Sequence, residues 1–218
     1  MWGTTPACRR LHQQSRCNLF LQRYTQGALC NFGIFVTPAQ VWSTPSSTEG
    51  WLAPEVLHNA PVFPDASVDY EAVIPWKGAL LRQTAAQCVQ ALSGTDRLTF
   101  EAFCAEQHAW LGAFAKFMAL KDANAGLPWT QWTHRTDPDP VAVAAYKFLQ
   151  WQFFRQWQAL KQYCHDHGVR LIGDLPIYVA HDSADVWGHP ASFALDGTGQ
   201  PTEIVDVPLD CFSTTGQR

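Results

Sequence analysis

Gly168-Val-Arg-Leu-Ile-Gly-Asp-Leu-Pro-Ile-Tyr-Val-Ala-His-Asp-Ser-Ala-Asp-Val-Trp187 is the stretch whose reading decides the fold. Val169 to Ile172 are mostly β-branched or apolar, which suits a strand covered on both faces, and Gly168 is a good terminator for a preceding helix. Asp174 then falls where the strand stops. In barrels of alternating strands and helices, groups at the carboxyl ends of the strands line the reaction site, so Asp174 is a candidate site residue. Pro176 ends the ladder by removing a donor, and Asp182-Ser-Ala-Asp185 reads as an N-cap followed by an acid three positions on.

Working upstream, Val141 to His167 is the longest helical pattern in the chain, started by Thr136-Asp-Pro-Asp-Pro140. Tyr146, Leu149, Phe153, Trp157, Leu160 and Cys164 step by three or four and share one face, while Lys147, Arg155 and Lys161 reach solvent. This helix is expected to pack on the sheet. Trp151, Phe153, Phe154 and Trp157 at that spacing read as core and not as a ligand-stacking platform. Before it, Trp110 to Asp122 carries an apolar face of Leu111, Phe114, Ala115, Met118 and Ala119, broken by Gly126-Leu-Pro128. Thr99 is the expected N-cap of the helix that leads into it. Trp76 to Leu92 reads as a further helix, stopped by Ser93-Gly94, and the prolines 54, 61, 64 and 75 make the stretch from Trp51 to Pro75 irregular. The helices between Trp76 and Asp122 are expected to form a lid-like subdomain inserted into the barrel.

Downstream of Trp187, Asp196-Gly197 between short apolar runs signals a β-hairpin, with Asp196 serving its turn and not a metal. The segment from Val207 to Arg218 has the polar, glycine-containing character of a loop.

Composition narrows the function classes. With 47% hydrophobic and 16% charged residues and a net charge of −4, the 218-residue chain has an ordinary globular balance that calls for no nucleic acid. No stretch approaches the roughly 20 apolar residues that span a bilayer, so no membrane partner is expected. Seven cysteines at long spacings, none in CxxC, read as reduced thiols in a reducing compartment. Residues 1–49 form an atypical segment. The first 48 residues hold no Asp or Glu but have Arg9, Arg10, Arg16 and Arg23, so they carry +4 and the other 170 residues −8. Two readings stand for it: a sequence artefact or a transit-like peptide. His165, His167, His181 and His189 lie near Asp174, Asp182 and Asp185, but no pair has the i, i+4 spacing of a helical zinc motif, so no metal is expected. No P-loop, GxGxxG or GxSxG occurs, and no cofactor is expected.

Several motifs in register carry a family resemblance. Gly173-Asp174-Leu-Pro-Ile-Tyr-Val-Ala-His-Asp-Ser-Ala-Asp-Val-Trp187, then His189-Pro190, Leu195-Asp196, Gly199-Gln-Pro-Thr202, Asp210, Phe212-Ser213 and Gly216-Gln-Arg218, resemble the 4-α-glucanotransferases (amylomaltases, glycoside hydrolase family 77). Val68-Asp-Tyr-Glu-Ala-Val-Ile-Pro75, Phe117-Met-Ala-Leu-Lys121, Pro128-Trp129 and Phe148-Leu-Gln-Trp-Gln-Phe-Phe-Arg-Gln-Trp157 resemble the same family in the same order. The resemblance covers about residues 50–218 and implies an α/β fold, a partial (β/α)8 TIM barrel with a helical insertion. A closed barrel typically takes about 250 residues, so the chain reads as a fragment.

The activity implied is transfer of α-1,4-glucan segments between maltooligosaccharides by retaining double displacement, in which a carboxylate attacks the anomeric carbon and a second acid protonates the leaving oxygen. In the family these carboxylates come from motifs that follow the point where this sequence stops. No catalytic residue is therefore expected here, and the chain alone is expected to be inactive. The substrate-binding residues implied are Asp174, which either contacts the sugar or pairs with a neighbouring Arg to fix the site, and Asp210 and Gln217 in a covering loop. Cys211 departs from the family's usual Tyr beside that acid. Asp182 and Asp185 are expected to be caps. The alternatives are another retaining α-glucan hydrolase of the amylase type, or a non-catalytic glucan-binding fragment. The expected location is the cytoplasm, or a plastid if residues 1–48 are a transit peptide.

Overall fold

The computed structural model describes residues 70–171 and 179–203, and within them the chain is built from helices. Helix α1 spans Tyr70–Ala91, α2 Gly94–Glu106, α3 His108–Ala123, α4 Pro140–Asp166 and α5 Ala184–Gly188. Single 3-10 turns occur at Trp129–Gln131 and Pro190–Ser192.

Helix α4 is the spine. Its 27 residues extend about 40 Å at the α-helical rise. Its start is fixed locally, because the Asp139 carboxylate accepts from the backbone N–H groups of Val141 and Ala142 and Pro140 supplies a first residue with no donor to lose. Its end is fixed by Gly168 at φ +69°, where Val169 N–H returns to the Cys164 carbonyl at 2.8 Å. Tyr146, Leu149, Phe153 and Cys164 of the expected face are buried, and Trp157 and Leu160 are half-buried.

The expected bed for this face was a sheet. No strand lies among the described residues to supply that bed, and α4 packs there on α1, α2 and α3. Phe100 of α2 meets Phe148 and Trp151 of α4 at ring-centroid distances of 6.3 and 5.6 Å, and Phe103 meets Phe154 at 5.2 Å. The expectation that Trp151 and Phe153 are core holds, each being 3% exposed, while Phe154 and Trp157 are half-buried.

Helix α3 lies at the centre. Leu111, Phe114, Ala115, Met118 and Ala119 are buried as expected, and Phe117 and Leu120 are buried too, so the helix is covered on more than one side. Helix α1 begins six residues ahead of Trp76 and continues through Pro75. A proline this close to the N-terminus removes few ladder bonds, and packing of Leu81, Ala85, Cys88 and Val89 into the common core offsets that loss. Helix α2 starts at Gly94 and not at Thr99. Gly94 at φ +54° makes the joint between α1 and α2 in two residues, and Thr99, inside the helix, donates its hydroxyl back to the Asp96 carbonyl at 3.0 Å.

Val169 to Leu171 form no ladder with another described segment, and Val169 and Leu171 are 50% and 44% exposed. A strand is defined by its hydrogen-bonded neighbours, and none lies among the described residues. The remainder of the expected strand, at Ile172, falls outside them. The hairpin expected near Asp196 is reduced to one antiparallel bridge between Leu195 and Pro201. Asp196 serves that turn: its Oδ1 accepts from Thr198 N–H at 2.8 Å, the Thr198 hydroxyl at 2.7 Å and Gln200 N–H at 3.0 Å, and these bonds hold its carboxyl below the usual range.

Candidate functional site

Asp174 lies in 172–178, and Asp210 and Gln217 lie in 204–218, all three outside the described residues. The structure does describe the body from which both segments depart, residues 179–203, and how it is fastened to the helices.

The fastening begins with a lysine on an apolar helix. Lys121, the last residue of the run Phe117-Met-Ala-Leu-Lys121, is buried at 9% exposure. Burying an ammonium is costly unless it is paired. Its Nζ donates to Asp182 Oδ2 and stands 5.8 Å from the centroid of the Phe117 ring. The other carboxylate oxygen of Asp182 accepts the backbone N–H of Trp129 at 3.2 Å. Trp129 also donates its indole N–H to the carbonyl of His181 at 2.8 Å. Two successive residues, 181 and 182, are thus held by α3 and by the 3-10 turn that follows it.

His181 passes the connection on. Its Nε2 lies 2.6 Å from the Gly199 carbonyl, and since a carbonyl only accepts, Nε2 bears the proton. Gly199, at φ +82°, packs against the Trp129 ring so closely that a Cβ there would stand 2.7 Å from Cη2. On the other side Trp187 of α5 meets Phe117 at 5.9 Å and Trp132 at 6.1 Å. Asn124 pins the loop that carries these tryptophans: its Oδ1 accepts from the N–H groups of Thr133 and His134, and its Nδ2 donates to the carbonyls of Leu120 and His134.

The expected capping role of Asp182 is corrected. Ser183, fully buried, is the N-cap of α5, and its Oγ accepts from Val186 N–H at 3.3 Å. Both oxygens of Asp182 are already engaged by Lys121 and Trp129, so the carboxylate ties elements together across the fold. Asp185 sits in the first turn of α5, where the helix dipole favours an acid. Sequence reasoning missed Lys121, Trp129 and Gly199 as parts of this arrangement. A lone lysine closing an apolar run was a usable signal for a buried ion pair. Its partner, 61 positions away, was not readable from spacing. Among the described residues no three of His, Cys, Asp and Glu come together as a metal site, and no helix is long and apolar enough to cross a membrane.

The helical unit and the body 179–203 fastened to it belong to a chain with relatives among solved structures. Amylomaltase from Streptococcus agalactiae in complex with acarbose matches 78% of this chain and 36% of its own, at a TM-score of 0.65 and 28% identity. The family model described as 4-alpha-glucanotransferase matches residues 28–218, a span that takes in part of the segment before Gly50. The chain belongs to the 4-alpha-glucanotransferase family, glycoside hydrolase family 77. The 4-alpha-glucanotransferase of Synechocystis is 38% identical over 87% of the chain, and that of Thermus thermophilus 44% identical over 72%. The chain spans 40% and 34% of the lengths of these two relatives.

Proposed function

We propose that the protein to which this chain belongs is a 4-α-glucanotransferase, moving α-1,4-glucan segments between maltooligosaccharides by retaining double displacement. The observation that carries this reading is the family match over residues 28–218, a span that includes positions 174, 210 and 217. In this reading residues 50–218 form a partial (β/α)8 barrel of which α1, α2 and α3 are the helical insertion, and the segment 1–49 stands apart from it. Asp174 is the substrate contact at the end of a barrel strand, with Asp210 and Gln217 contacting the glucan from the loop that follows. In this reading none of the 218 residues is assigned as the nucleophile or the acid/base, and the chain spans 40% of the Synechocystis relative. No cofactor is required, because the chemistry is carried by carboxylates and the acceptor is a sugar hydroxyl. The place of action in this reading is the cytoplasm, or a plastid if residues 1–48 are a transit peptide.

The test is incubation of the whole protein with maltotriose and separation of the products. Transfer yields glucose together with glucans longer than maltotriose. Glucose and maltose alone would mean hydrolysis and would overturn the reading.

A further inference from the structure

We infer that Asp182 is a positioning residue of the glucan site, an inference that rests on the transferase reading above. Its carboxylate stands eight positions after Asp174 in the chain and is the hub through which residues 181 and 182 are tied to the helices. One oxygen takes the ammonium of Lys121 on α3, and the other takes the N–H of Trp129. The neighbouring carbonyl of His181 takes the Trp129 indole N–H. Three donors on two elements therefore fix two consecutive residues, which gives the backbone at residue 181 a defined position.

The same hub fixes the other departure. His181 donates to the Gly199 carbonyl, and Gly199 lies against the ring of Trp129, so the turn that precedes 204–218 is held by the residues that hold Asp182. The carboxylate is not needed for local structure. Ser183 caps α5 without it, and the turn at 196–200 is closed by Asp196. What the Asp182 carboxylate does uniquely is neutralise a buried lysine while setting the position of a backbone, which is how an acid acts on a site that it does not touch. Misplacement of a substrate contact by about 1 Å can cost on the order of 100-fold in rate, so loss of this hub is expected to be felt in turnover and in substrate affinity.

The experiment uses the whole protein and four variants, Asp182→Asn, Trp129→Phe, Lys121→Met and Lys121→Arg. Steady-state transfer from maltotriose is measured beside hydrogen exchange of the peptides covering 172–178 and 204–218. Asp182→Asn and Trp129→Phe are expected to raise KM about 5-fold or more, to lower kcat, and to speed exchange in both peptides. Lys121→Met is expected to do the same, and Lys121→Arg to restore KM to within about 2-fold of wild type. Trp129→Phe removes the indole N–H and the ring atoms Cη2 and Cζ3 that meet residue 199 but retains the backbone N–H to Asp182, so it serves if Asp182→Asn does not fold. Unchanged exchange with unchanged KM overturns the inference. A fall in kcat that matches the fraction of unfolded protein, with KM at the wild-type value, overturns it as well, because it marks a purely structural role. Wild-type protein that makes no glucan longer than maltotriose overturns the transferase reading and the positioning role with it, and the exchange data then report whether the hub still orders the two segments.

Discussion

Trp129 and Gly199 are in contact at the limit of what two residues allow: the ring Cη2 occupies the space where any Cβ on residue 199 would need to be, 2.7 Å away. The backbone there is also left-handed, at φ +82°. Gly199→Ala therefore meets both strain and overpacking, and the expected destabilisation is about 2–3 kcal/mol, read as a drop of roughly 5–10 °C in thermal midpoint. Gly197→Ala is the control. Nothing lies within 4 Å of its Cβ position and its φ is not positive, so its midpoint is expected to stay close to wild type.

Lys121 and Asp182 are expected to be coupled energetically. A double-mutant cycle with Lys121→Met and Asp182→Asn, measured by denaturant unfolding, is expected to give an interaction of about 1–3 kcal/mol, larger than surface pairs show. The exposed Arg97–Glu101 pair on α2 is the internal comparison, expected at about 0.5 kcal/mol or less.

The core is expected to fail at α3 first. Phe117 is fully buried against Trp132 and Trp187, so Phe117→Ala is expected to cost about 3–5 kcal/mol. Leu98→Ala, at a residue 67% exposed, is expected to change stability by about 0.5 kcal/mol or less. Equal effects in the two variants would contradict the packing described.

Cys88 gives a pH dependence with a defined sign. Burial on the inner face of α1 raises its thiol from 9.0 to about 11, because the thiolate is the form that desolvation disfavours. An unfolded chain ionises the same thiol about two units lower and so binds fewer protons than the folded one between those values. Stability is therefore unaffected by this group below pH 9 and falls as pH rises from about 9 to 11. Replacement by Ala or Ser is expected to flatten that alkaline decline, and alkylation of Cys88 at pH 8 is expected only on unfolding. Rapid labelling of Cys88 in folded protein would contradict the burial.

Much of the helical part was legible in the sequence because its signals are local. Asp139-Pro140 before an apolar face, Gly126 after one, and Leu111, Phe114, Ala115, Met118 at helical spacing each name their own structure. What spacing could not give was pairing over distance. Asp182 has the look of a cap, since it precedes a serine and an acid three positions on, yet Ser183 caps better from one residue nearer and leaves Asp182 to Lys121. Thr99 misled for a similar reason: its hydroxyl bonds a backbone carbonyl within the helix as readily as it would cap a helix start. The strand at Val169 to Ile172 shows the other limit. Apolar, β-branched residues state a preference for extended backbone, but a ladder needs neighbours, and the described segments supply none to Val169 or Leu171. Asp174, Asp210 and Gln217 rest on the motifs alone.

The most direct measurement is a crystal structure of the whole protein with a bound maltooligosaccharide. The account predicts the Asp174 carboxylate at the end of a paired strand, either within hydrogen-bond distance of a sugar hydroxyl or joined to an arginine that is, with Asp182 seated between Lys121 and Trp129. A saccharide bound elsewhere, with Asp174 on an outer surface remote from it, would contradict the account.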